Sequence, residues 1–151
     1  MKKISILFSL VFALSLTNCV SDSNTEIKVI SPEEMQTLLE LDDVQIVDVR
    51  TPEEYKDGFI TNSQNIDFNS PTFDEDITKL DKTKPVILYC KSGQRSAKCS
   101  KKLKDAGFVK IYDLDGGITK WKFNGLEVKT TEERYRLALL ETEPCVRFFY
   151  V

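Results

Sequence analysis

A parallel α/β sheet with helices on both faces is the fold this sequence predicts, and three observations predict it. Its apolar runs are short, β-branched and almost uninterrupted, as in residues 44–50 and 86–89, which is how strands buried on both faces read. Helix starts with a hydroxyl cap and a proline follow such runs, at Ser31-Pro32 and Thr51-Pro52. Strand-like and helix-like segments then alternate along the chain, the pattern of crossover-connected parallel strands.

Taken in order, residues 26–30 alternate enough for a short first strand. Ser31-Pro32-Glu33-Glu34 starts a helix with serine as N-cap and Glu34 at the capping-box position. Met35, Leu38 and Leu39 give it one apolar stripe, and Asp42 marks a polar stop. Residues 44–50 are the second strand. Thr51-Pro52-Glu53-Glu54 repeats the capping logic for a short helix carrying Tyr55 and ended by Gly58. Residues 63–68 offer a brief third strand and 73–80 a weak helix. The central strand follows at 86–89, introduced by Pro85 where no ladder bond is lost. A helix is expected over 96–106, closed by Gly107, then a fifth strand over 110–114. Asp115-Gly116-Gly117 turns the chain into a short helix over 118–123 with Trp121, and Asn124-Gly125 turns it again.

The chain is organised around residues 86–96, where the central strand runs into Cys90, a short loop centred on Gly93, and a helix. A cysteine at a strand tip facing the next helix N-terminus meets backbone N–H groups and the positive end of the helix dipole, both of which favour a thiolate. The sequence contains 0 histidines, so Cys–His catalysis and histidine metal sites are excluded. In parallel sheets ligands bind at the carboxyl ends of strands, where Cys90 falls.

Length and composition (151 residues, 41% hydrophobic, 30% charged) suit one globular domain with appendages. Met1-Lys2-Lys3 followed by the apolar residues 4–16 has the build of a signal peptide and is too short to span a bilayer readily, an uncleaved anchor being the alternative. Residues 16–19 (Leu-Thr-Asn-Cys) resemble a bacterial lipobox, with Asn18 where a small residue is usual. That resemblance implies lipidation of Cys19 and an extracytoplasmic protein anchored to a bacterial membrane, facing the periplasm or the cell surface. Residues 19–26 are then a polar tether. Loss of residues 1–18 removes Lys2 and Lys3 and no acid, taking the formal charge from −3 to −5. No basic field for nucleic acid is implied.

Four cysteines do not form a disulfide framework here. Cys19 belongs to the lipobox, Cys90 to the loop, and Cys99 to the helix, where it shares a face with Leu103 and Ala106 and reads as core rather than as a resolving thiol. Cys145 lies in the tail. An oxidising compartment would require Cys90 to be kept reduced or persulfidated.

Three stretches together resemble the single-domain rhodanese (thiosulfate sulfurtransferase) family: 47–55 (Val-Asp-Val-Arg-Thr-Pro-Glu-Glu-Tyr) with Gly58-Phe59-Ile60; the loop Cys90-Lys91-Ser92-Gly93-Gln94-Arg95-Ser96; and Asp115-Gly116-Gly117 with Trp121 and Gly125. The likeness covers residues 27–129. It implies a rhodanese-like domain with a central five-stranded parallel sheet and helices on both faces. It also implies a sulfurtransferase in which Cys90 attacks a sulfane sulfur, becomes a persulfide and passes the sulfur to a thiol or cyanide.

On this basis Lys91, Ser92, Gly93, Gln94, Arg95 and Ser96 bind the substrate sulfur through their N–H groups, and Lys91 and Arg95 lower the thiol pKa and attract an anionic donor such as thiosulfate. Asp48, Arg50 and Glu54 support the site, with an Arg–Glu pair bracing strand to helix. No metal and no cofactor are called for, and a monomer is expected. Phe59 replaces the histidine usual in the family, which points to packing rather than chemistry. Four residues separate Cys90 from Arg95. In the superfamily that loop length goes with sulfur transfer, and a loop one residue longer with phosphatases and arsenate reductases.

The alternatives are a buried structural thiol at Cys90, a rhodanese-homology module that binds a partner without turnover, and a reductase or phosphatase, which the loop length disfavours. Sulfur transfer demands a thiol that ionises readily and that solvent can reach. Residues 130–151 lie outside the resemblance. Thr130 and Glu133 form a capping box ahead of a short helix over 135–140, and residues 148–151 are an apolar end that either packs on the domain or meets a partner.

Overall fold

The computed structural model describes residues 25–40 and 43–142. The lipobox-like stretch with Cys19, the helix stop at Asp42, Cys145 and the apolar end at 148–151 lie outside them. Five parallel strands, β1 (Ile27–Ile30), β2 (Gln45–Asp48), β3 (Gln64–Asn65), β4 (Val86–Tyr89) and β5 (Ile111–Leu114), form one sheet in the order β1-β5-β4-β2-β3. The helices are α1 (Pro32–Leu39), α2 (Pro52–Lys56), α3 (Phe73–Asp76), α4 (Gln94–Asp105), α5 (Gly117–Phe123) and α6 (Thr131–Thr142). The expected α/β class and parallel five-stranded sheet are therefore present.

Strand alternation distributes the core to two sides. Val86, Leu88 and Cys90 join Phe73, Cys99 and Leu103 in one buried cluster beneath α3 and α4. Ile87 and Tyr89 join Met35, Ile118 and Trp121 in the other, beneath α1 and α5. This alternation points the Cys90 side chain toward α4 and so toward the free N–H groups of its first turn.

Both capping boxes exist as read, at Ser31/Glu34 and Thr51/Glu54, so α1 and α2 start where their sequences dictate. Three elements differ from expectation. The third strand shrinks to two residues, with Asn65 Nδ2 donating to the carbonyls of Asp48 and Arg50 and the Ile66 and Phe68 amides still reaching the carbonyls of Asp48 and Val49. The weak helix over 73–80 is α3 followed by a 3-10 turn, Ile77–Lys79. Helix α4 begins two residues early, with Gly93 as its N-cap at φ 94°, a left-handed conformation that glycine adopts without a Cβ clash.

The described start of the tail, residues 129–134, packs on the domain. Phe59 and Lys129 form an isolated antiparallel bridge, and Thr130 and Glu133 make the expected capping box at 2.8 and 3.3 Å. Tyr55 stacks on Phe59 with ring centroids 4.4 Å apart, and the Arg134 guanidinium lies 4.2 Å over Phe59, a cation–π contact. The aromatic ring at position 59 thus serves packing, as expected.

Tyr89 ties β4 to the segment after α2: its hydroxyl accepts from the Ile60 N–H at 3.1 Å and pairs with Ser63 Oγ at 2.9 Å, in a fully buried setting. Tyr89→Phe leaves that N–H without a partner and is expected to cost about 1–3 kcal/mol, measured as a shift in the urea unfolding midpoint.

Candidate functional site

The loop between β4 and α4 curls so that its amides converge on the Cys90 sulfur. The Gly93 N–H donates to Sγ at 3.1 Å, and the Ser96 hydroxyl lies at 3.7 Å. Burial pushes the thiol up, but the Ser96 N–H and hydroxyl and the N–H groups of Ser92 and Arg95 outweigh it, leaving Cys90 below its ordinary value. Of the expected ring of amides over 91–96, that of Gly93 bonds the sulfur directly, and those of Ser92, Arg95 and Ser96 help to hold the thiol below its ordinary value. Lys91, Ser92 and Gln94 are exposed, with their side chains outside the nest.

The loop is held from the far side by α5. Its first turn donates from the Ile118 N–H to the Cys90 carbonyl at 2.9 Å and from the Thr119 N–H to the Lys91 carbonyl at 3.1 Å. Gly117 permits this approach. Its φ is 56°, and a Cβ there would overlap the Cys90 carbonyl oxygen and lie 2.9 Å from the Lys91 carbonyl carbon. The sequence marks Asp115-Gly116-Gly117 as a turn; its role as a clamp on the loop needs the tertiary contact to be seen.

Two expectations about charge are corrected. The pair bracing strand to helix is not Arg50–Glu54. Arg50 turns back on Asp48, with Nε 2.9 Å from both carboxylate oxygens and Nη2 2.5 Å from Oδ2, and also donates to the Gly58 carbonyl at 2.7 Å. Glu54 instead takes Arg95 in a two-bond fork at 2.7 and 2.8 Å. Arg95 is therefore neutralised by its partner and is not a free cation for a donor; Asp48 and Arg50 brace the strand end. Among the described residues Lys91 has no ion-pair partner, so it and the α4 N-terminus carry what positive potential the loop has.

A third correction concerns access. Cys90 is only 1% exposed, whereas sulfur transfer demands a thiol in contact with solvent. Cys99 is a buried core thiol on the inner face of α4, pushed up to about 12 by burial and by the Asp113 charge. Trp121 is core, its indole N–H donating to the Glu127 carbonyl at 2.9 Å.

Comparison with known proteins agrees with this geometry. A family model described as a rhodanese-like domain matches residues 31–124. The chain is 31% identical over 97 residues to a sulfurtransferase of Allochromatium vinosum, covering 64% of this chain and 89% of that protein. It is 35% identical over 106 residues to a tRNA uridine(34) hydroxylase of Pelagibacter ubique, with 70% of this chain and 35% of the relative covered. This chain thus spans about a third of the length of such hydroxylases. Among solved structures, a rhodanese-like domain protein from Staphylococcus aureus is 36% identical, with a TM-score of 0.59 over 68% of this chain and 99% of that one.

The Glu54–Arg95 fork has a pH signature. Arg95 holds the Glu54 carboxyl at about 2, against burial and with help from the Thr51 N–H, from an ordinary 4.5. A carboxyl lowered on folding contributes stability that is fully present above its unfolded value and is lost as pH falls through the folded one. The difference in unfolding midpoint between wild type and Glu54→Gln is therefore expected to be constant from neutral pH to about 4.5 and to shrink toward zero by about 2, measured by denaturant titration at each pH.

Proposed function

The chain belongs to the rhodanese-like family, and from that premise we propose a sulfurtransferase in which Cys90 carries sulfane sulfur as a persulfide. The convergence of loop amides and the Ser96 hydroxyl on Sγ carries the proposal, since a nest of N–H donors suits a thiolate and, once loaded, a persulfide anion. In the first half-reaction the Cys90 thiolate attacks the outer sulfur of thiosulfate. A new S–S bond forms, and sulfite leaves with the electron pair of the bond that breaks. In the second, an acceptor thiolate or cyanide attacks the terminal sulfur, and the Cys90 thiolate departs with its pair. No outside oxidant or reductant enters either step. Lys91 and the α4 N-terminus draw the anionic donor in, and displacement of the loop admits it to the covered sulfur.

One observation favours a second possibility, a partner-binding module without turnover: the same 1% exposure of Cys90. The loop composition argues the other way, because a binding module has no use for a thiol surrounded by converging amides. Incubation with thiosulfate followed by cyanide separates the two. Thiocyanate production that falls by at least about a thousandfold in Cys90→Ser supports sulfur transfer; activity surviving that change rejects Cys90 as nucleophile, and inactivity with every sulfane donor leaves the binding module.

We further propose that the protein is lipid-anchored outside the cytoplasm through Cys19. The strands are parallel, so the chain enters the sheet at the end opposite the Cys90 loop. A tether over 19–26 reaches about 29 Å at most, which would keep the domain close to the membrane. Cys19→Ala is expected to move the protein from the membrane to the soluble fraction on cell fractionation; unchanged partition would reject the anchor.

A further inference from the structure

Positive charge is gathered on one helix of a chain that is acidic elsewhere. Residues 91–105 hold six of the 21 basic side chains and one of the 24 acidic ones. Their formal charge is therefore +5, against −8 for the rest of the sequence, which together give the −3 of the whole. Two of the six are engaged by other elements, Arg95 by Glu54 and Lys102 by Asp74. Lys91, Lys98, Lys101 and Lys104 are exposed and make no ion pair among the described residues.

With about 100° of turn per residue, Lys98, Lys101 and Lys104 fall on the outer face of α4 along roughly 9 Å of its axis. The buried Ser96, Cys99 and Leu103 occupy the opposite face. Lys98 stands five positions after Gly93, whose amide bonds the Cys90 sulfur, and Lys91 follows that cysteine directly. This charge does not serve its own helix. Like charges three and four positions apart (98 with 101 and 102, 101 with 104) weaken a helix, and a face meant only for water mixes the two signs. Asp105 is the single acid on α4. The exposed residues of α4 are otherwise Gln94, Ala97 and its four lysines. No aromatic side chain is offered for bases to stack on, and no large apolar one for a bilayer to take up.

We propose that the outer face of α4 docks an acidic protein whose cysteine is the sulfur acceptor. The proposal rests on the sulfur-transfer reading and names the acceptor's class, a protein thiol within an acidic rim. Complementary charge speeds the encounter, and the lack of an apolar anchor keeps the complex short-lived, as turnover requires. The negative remainder of the chain repels the same partner elsewhere and so orients it. In the docked pair the acceptor thiolate attacks the terminal sulfur of the Cys90 persulfide. A new S–S bond forms on the acceptor, and the Cys90 thiolate leaves with the electron pair of the bond that breaks.

Binding to the full chain is measured by fluorescence anisotropy with a labelled synthetic peptide in which glutamates flank a serine. That probe has no thiol, so the result is independent of turnover. The glutamate peptide is expected to bind, and its glutamine counterpart to bind far less. Lys98→Glu/Lys101→Glu should weaken the glutamate peptide by at least about tenfold and should bind a lysine-flanked counterpart instead. Raising salt from about 0.05 to about 0.5 M should remove most of the difference. With cysteine in place of the serine, the glutamate peptide should take sulfur from the loaded wild type at least about ten times faster than from the variant. Thiocyanate formation at saturating thiosulfate should be the same in both, which also shows the variant folded. A wild type that binds the glutamate peptide yet forms no thiocyanate fails the sulfur-transfer reading alone. Equal affinity of wild type and variant overturns the docking face. So does a glutamine peptide bound as tightly, or tighter binding of single-stranded RNA or of phosphatidylglycerol vesicles.

Discussion

Contact between the first turn of α5 and the backbone of Cys90 and Lys91 is the constraint on which the rest of the site depends. Two amides of α5 take the carbonyls of those residues, which turns the loop's remaining N–H groups inward. A loop left to itself would scatter its amides toward water, and burial alone would raise the thiol pKa. Held this way, the same burial is outweighed by hydrogen bonds to the sulfur. The glycine at 117 is the sequence-level requirement for this contact, because a side chain there would occupy the space of the Cys90 carbonyl.

Around this junction the charges are sorted into closed pairs. Asp48 and Arg50 are 0% and 4% exposed and satisfy each other and the Gly58 carbonyl. A pair so deeply buried adds little net stability for its desolvation but is costly to break, so it pins the end of β2 to the segment after α2. Glu54 and Arg95 tie α2 to the first turn of α4 by a fork whose planar geometry fixes direction as well as distance. The loop is thereby braced from two sides, and its hydrogen-bond donors, more than free cations, set the properties of the sulfur. Asp113 is the exception to this sorting: a buried carboxyl whose Oδ1 has no hydrogen-bond partner among the described residues.

Much of this was legible in the residues. Alternating β-branched runs and capped helix starts specify a parallel α/β sheet, because burial on both faces and the unpaired amides of a helix start each demand particular residue types locally. Cys90 at a strand-to-helix junction follows from the same local rules, as do the capping boxes at Ser31, Thr51 and Thr130.

What the residues alone could not decide is which partner each charge chooses. Arg50 and Arg95 were equally eligible for Glu54, and only the packing of α2 against α4 gives Glu54 to Arg95 and leaves Arg50 to Asp48. The sequence likewise could not say that Cys90 is buried or that Gly117 touches the loop. Each of these depends on atoms far apart in the chain meeting within a few ångströms. Local propensity determines the elements; the distances between them, and so the electrostatics of the site, exist only once the sheet has assembled.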